Sequence, residues 1–156
     1  MFSLLGATAQ AVTVNAFVEE ASQQIAFQTE SARVALEKSQ TSEIRDFANK
    51  TITQNTQLYE RLKDLGNRLR MDVPTEGSLS GKAKLMRLES RDDSFDRIYV
   101  DSQAETLEQR VFLFKKEAMS SENRELKKFA NDELPELLKQ EQTVKALQEK
   151  LKTSAG

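Results

Sequence analysis

Apolar residues recur along this chain in alternating steps of three and four, the spacing that lines one face of an α-helix. The first stripe is Val14, Val18, Ala21, Ile25, Gln28, Ala32 and Ala35, which predicts a helix over 15–38. The polar run Ser39-Gln40-Thr41-Ser42 interrupts it, and Thr41 or Ser42 is placed to cap the next helix by accepting from a free first-turn amide. A second helix over 43–65 has the cleanest period: Ile44, Phe47, Ala48, Thr51, Ile52, Asn55, Leu58, Tyr59, Leu62 and Leu65 share one face. Gly66 follows, suited to the left-handed conformation that closes many helices.

Residues 67–93 lose the period. Pro74, Gly77 and Gly81 break them up, leaving room for a short helix over 82–89 whose Leu85 and Leu88 cover one end of the core. A third long helix over 95–119 turns Val100, Ala104, Leu107, Val111, Phe114 and Ala118 inward. Ser120-Ser121 ends it, and Ser121 is placed to cap a fourth over 122–151. That helix carries Ala130, Glu133, Leu137, Gln140, Val144, Leu147 and Leu151, with Leu126, Phe129 and Leu134 alongside. Pro135 falls inside it. Proline lacks an amide hydrogen and clashes with the carbonyl four residues back, here that of Asn131, so a kink or break is expected.

Four long amphipathic helices joined by two short links and one long one predict an all-α fold, an antiparallel four-helix bundle with a short extra helix in the long connection. Several apolar faces are wider than the two-in-seven seam of an extended coiled coil. The 156 residues suffice for one domain with a real core, placed at 14–151 between a tail or signal-peptide remnant over 1–13 and a frayed end over 152–156. In that first segment Phe2-Ser3-Leu4-Leu5-Gly6-Ala7 is mildly apolar and Ala9-Gln10-Ala11 reads like a cleavage site, yet no Lys or Arg precedes Arg33. No stretch approaches the ~20 apolar residues of a membrane span.

Composition narrows the chemistry. Cysteine is absent, which excludes thiols, Fe–S clusters and disulfides. Histidine is absent too, removing the commonest general base and transition-metal ligand together. Serines therefore lack an imidazole to activate them, and there is no G-x-S-x-G elbow. Gly77-Ser78-Leu79-Ser80-Gly81-Lys82 has neither Walker spacing nor a preceding strand. No catalytic, cofactor-binding or metal-ligating residue is assigned, and no cofactor is expected. With 25 acidic against 23 basic residues, nothing draws the chain to nucleic acid; Lys82, Lys84, Arg87, Lys127 and Lys128 read as solvated helix surface. A protein partner and the oligomeric state stay open.

One anomaly interrupts the stripes. Gln28, Asn55 and Gln140 occupy inward positions near the middle of their helices, and the corresponding place on the third long helix is Leu107. In an antiparallel bundle midpoints share a level, so these four define one cross-sectional layer. Buried amides persist when they bond to one another, and a polar layer fixes register. The other readings are partial exposure at the core edge and a small-molecule pocket. Di-iron bundles put their ligands at this level, using inward carboxylates and Glu-x-x-His pairs. Without histidine only a carboxylate site for Mg²⁺ or Ca²⁺ could be built. The local pairs are Glu105 with Glu108 and Glu133 with Glu136, and of these only Glu133 lies on an inward stripe.

Several segments together resemble the bacterial domain-of-unknown-function family numbered 4142: Phe17-Val18-Glu19-Glu20-Ala21, Ala35-Leu36-Glu37-Lys38, Phe47-Ala48, Phe95-Asp96-Arg97-Ile98-Tyr99-Val100, Leu126-Lys127-Lys128-Phe129-Ala130 and Leu134-Pro135. The likeness runs from about Phe17 to Leu147, the stretch beginning at Phe95 being the most specific. It implies a ferritin-like four-helix fold and an exported protein, hence the periplasm or cell envelope, with the cytoplasm as the alternative. The family pattern usually carries Asp-His at Gln54-Asn55, histidine at Leu107 and at Gln140, and often glutamate at Gln28. Those are the layer positions, so the resemblance implies a site rebuilt with amides and a leucine. The resulting expectation is a non-enzymatic envelope protein acting through surface contacts, in stress tolerance or envelope maintenance. The alternative is a ferritin-like metalloprotein holding a divalent ion by carboxylates.

Overall fold

The computed structural model describes residues 11–154, and the mildly apolar start and most of the 1–13 segment lie outside them. The chain is all-helical: α1 Ala16–Lys38, α2 Ser42–Arg68, α3 Leu79–Glu89, α4 Phe95–Ser120 and α5 Arg124–Ser154. Among the described residues the only strand-like pairing is an isolated parallel bridge between Thr13 and Met71. It is closed by Thr13 N–H donating to Arg70 O at 3.0 Å and Asp72 N–H to Thr13 O at 2.8 Å. The end of the expected tail is therefore tied to the connection after α2. No described helix is long and apolar enough to cross a membrane.

The long helices begin and end within a few residues of their apolar stripes, and the differences have local causes. Val14 is 70% exposed, because it precedes the helix. Asn15 takes over as cap, its Oδ1 accepting from Val18 N–H at 3.0 Å. Thr41 is the N-cap residue of α2, but its hydroxyl donates to Asp96 Oδ2 at 2.7 Å instead of accepting from the helix. That bond ties the first hairpin to the start of α4. Ser121 ends α4, whereas Asn123 caps α5: its Oδ1 accepts from the amides of Glu125 and Leu126 at 3.0 and 3.1 Å.

Gly66 does not close α2. The helix runs on to Arg68, and the left-handed residue is Arg70, with φ 57°. Gly66 is needed for space, because a Cβ there would stand 2.3 Å from Val73 Cγ2 where the connection folds back. Pro135 does not break α5, which is continuous from Arg124 to Ser154 and thus outlasts the expected fraying at Lys152. Proline there lies on an exposed face, where water can satisfy the carbonyl it leaves free.

Among the described residues the core forms two apolar clusters. One joins the end of α1 (Ala32, Ala35), the start of α2 (Ile44, Phe47), the start of α4 (Phe95, Tyr99, Leu107) and the end of α5 (Val144, Leu147). The other joins the start of α1 (Phe17, Val18, Ile25), the end of α2 (Leu58, Leu62, Leu65), the end of α4 (Val111, Phe114) and the start of α5 (Leu126, Leu137). This grouping makes α1 antiparallel to α2 and to α4, and α4 antiparallel to α5. The connection bearing α3 must then travel from one end of the molecule to the other. α1 packs against α2, α3 and α4, whereas α2 meets α5 through long polar side chains such as Arg61 with Glu133 and Lys150 with Glu43.

Candidate functional site: a polar waist around Arg110

The two clusters are separated by polar residues, and each is where the sequence of its helix passes from one cluster to the other. On α1 that point is Gln28, between Ile25 and Ala32; on α2 it is Asn55, between Ala48 and Leu58. On α5 it is Gln140, between Leu137 and Val144. On α4 the switch comes between Leu107 and Val111, and the residue filling it is Arg110. Leu107 itself is fully buried in one apolar cluster.

Three side chains of this level are bonded in a line. Asn55 Nδ2 donates to Gln28 Oε1 at 2.9 Å and to Thr29 Oγ1 at 3.3 Å. Asn55 Oδ1 accepts from Arg110 Nη1 at 3.2 Å. Thr29 in turn donates to the Ile25 carbonyl at 2.8 Å, the backbone bond open to a threonine inside a helix. Asn55 is thus the hub that joins α1, α2 and α4. Gln140 is not part of the line: it is only half-buried and lines a shallow groove between α2 and α5 with Gln54, Arg61 and Glu136.

Arg110 is the unusual member. Its side chain is 0% exposed, yet Nε and Nη2 have no hydrogen-bond partner among the described residues, and it joins none of the ion pairs found there. Arginine is normally buried only when paired, because an isolated charge in a low-dielectric interior loses its hydration. That loss lowers its pKa from the ordinary arginine range to about 9, so the guanidinium still carries its charge at neutral pH. On the same helix Gln103 is fully buried with neither amide atom partnered among the described residues, and the Tyr99 hydroxyl is likewise buried without a partner among them. Burial pushes the Tyr99 phenol well above its ordinary value.

The carboxylates named from sequence stand elsewhere. Glu105 and Glu108 are exposed. Glu133 is held by Arg61, whose Nε and Nη2 donate to its two carboxylate oxygens at 2.6 and 2.8 Å. Glu136 accepts from Gln54 Nε2 at 3.1 Å. Among the described residues no three carboxylates converge as a metal site would require. A cation at Glu133 would have to displace a two-point guanidinium contact.

Arg110 escapes a reading of stripes because a lone arginine one turn from an apolar position usually marks the edge of a solvated face. The available signal was Gln103, Leu107, Arg110 and Phe114 at steps of four, three and four, a second stripe beside the one recognised. The family model described as Domain of unknown function (DUF4142) matches residues 4–147. Neither the curated proteins nor the solved structures contain a match to the chain.

Proposed function

The chain belongs to the DUF4142 family, and on that premise we propose that it is a non-enzymatic helical protein of the cell envelope that works through surface contacts. The architecture we assign is a ferritin-like four-helix bundle. Its support is the helix order: α1 and α2 form one antiparallel pair, α4 and α5 another, and a single long crossover joins them, as in ferritin-like folds.

The observation that carries the functional reading is the donor set at the waist. Helical metalloenzymes converge carboxylates and histidines there. In this chain the bonded line at that level holds two amides and a guanidinium, and a positive charge repels the cations such a site would bind. The surface supplies the complementary support. Phe112 and Met119, seven residues apart on one face of α4, are 71% and 81% exposed, a large apolar area for a solvated helix. For the compartment, the support is the export that the family resemblance implies, and fractionation of the source cells tests it.

The decisive assay measures oxidase and peroxidase activity of the purified protein after incubation with iron, manganese, magnesium and calcium, together with retained metal. The expected result is no metal-dependent turnover. Activity that rises with bound metal would overturn the reading.

A further inference from the structure

A cavity of about 420 Å³ opens between α1, α2 and the crossover. Its walls are mostly apolar, from Ile25, Phe27, Tyr59 and Leu85; its inner polar wall is formed by Thr29 and Asn55, and the exposed Thr56 and Thr75 also line it. The crossover that covers it is firmly seated. Tyr59 Oη donates to the Pro74 carbonyl at 3.1 Å, Ser78 caps α3 by accepting from Gly81 N–H at 3.0 Å, and Lys82 pairs with Glu76 at 2.7 Å. Glu30 at the mouth is offset by Arg33 at 3.4 Å. The rim carboxylates are thus matched by cations, and among the described residues the uncompensated charge near the cavity is Arg110, one hydrogen bond behind Asn55.

An apolar chamber of this size with one polar wall has the makeup of a small-molecule site. The charge behind that wall selects the ligand. Arg110 and Asn55 are buried at the inner end of the cavity, where a guanidinium is less screened than at the surface, so a negative group at that wall is favoured over a neutral one. We propose that this cavity binds a small apolar monocarboxylate, its hydrocarbon body against Ile25, Phe27 and Leu85 and its carboxylate at Thr29 and Asn55, in the field of Arg110. The Asn55 proton now given to Thr29 makes the longest bond of the waist, 3.3 Å, and is the one the carboxylate takes over. The proposal goes beyond a role in surface contacts and can fail without touching it.

The test titrates the ¹⁵N-labelled full chain with octanoate and, separately, with octanamide, which keeps the hydrocarbon and removes the charge. Octanoate is expected to shift the resonances of Ile25, Thr29, Asn55 and Leu85 saturably, and to bind at least ~10-fold more tightly than octanamide. Arg110→Met should bring the two affinities together. If R110M does not fold, the acid–amide comparison in the unaltered protein still decides. Equal affinities, shifts mapping away from the cavity, or no saturable shift with octanoate would overturn the proposal.

Discussion

Replacing Arg110 by methionine isolates the energetics of the waist. Methionine has a similar reach and is apolar, so the cavity it leaves is small. The folded guanidinium has its pKa lowered by burial to about 9, more than three units below its ordinary value. Each unit of pKa is 1.36 kcal/mol, so the charged form is disfavoured in the fold by roughly 5 kcal/mol. Against this, R110M strands Asn55 Oδ1, a loss of ~1–3 kcal/mol. The ligand-free protein should therefore gain about 2–4 kcal/mol, which for a domain this size raises the melting temperature by about 5–15 °C. The sign with pH follows from the direction of the shift. Above pH ~9 the folded protein releases a proton the unfolded chain still holds, so the parent gains stability as pH rises from about 9 towards the ordinary arginine range. Urea unfolding of parent and R110M should thus show a large gap at pH 7 that narrows by roughly 2 kcal/mol at pH ~10.5. A variant less stable than the parent at pH 7, or a gap indifferent to pH, would refute the reasoning: the guanidinium would then be well solvated or paired.

Three further perturbations probe separate features. Asn55→Leu should have the opposite sign to R110M, since it strands Gln28 Oε1 and Arg110 Nη1 together; a thermal melt should register a cost of ~2–4 kcal/mol, and an unchanged melt would mean the hub bonds are dispensable. The chain has two tyrosines and no tryptophan, so phenolate absorbance reports them cleanly. Burial raises the pKa of Tyr99, and burial followed by Glu60 and Asp72 raises that of Tyr59. Raised phenols stabilise the fold below the ordinary value of 10.0 and lose that contribution as pH climbs. Alkaline titration should accordingly show the Tyr99 phenolate appearing only as the helical circular dichroism collapses; ionisation of both tyrosines with helicity intact would contradict it. Gly66→Ala should destabilise by ~1–2 kcal/mol despite alanine's better helix propensity, because its Cβ meets Val73 Cγ2, and adding Val73→Ala should restore the loss.

Much of this molecule is written in its hydrophobic spacing. The step-of-three-and-four stripes locate α1, α2, α4 and α5 because each presents an apolar face wide enough to outweigh local noise. They also locate Gln28 and Asn55, since an amide flanked by apolar neighbours on one stripe has nowhere to go but inward. Stripes read one face at a time, and there they fall short. α4 packs against α1, α3 and α5 and buries residues around much of its circumference, so its member of the waist is Arg110 on a second face, not Leu107 on the first. Gln140 shows the reverse: it holds the right place in sequence, but α2 and α5 are spanned by long polar side chains, and the seam leaves it half open. Gly66 and Pro135 were misleading for a common reason. Their local preferences concern an isolated helix, whereas a close approach by Val73 and an exposed helix face decided their roles.

The division of the core at its waist bears on how the sequence can drift. Because the buried apolar residues fall into two groups with no common member, substitutions at Leu62 in one and Val144 in the other share no packing partner in either cluster. Free-energy changes at such distant sites add. Each end of the molecule can therefore repack on its own, accumulating changes that the other never senses. Asn55 has no such freedom, since α1, α2 and α4 all meet at its one amide.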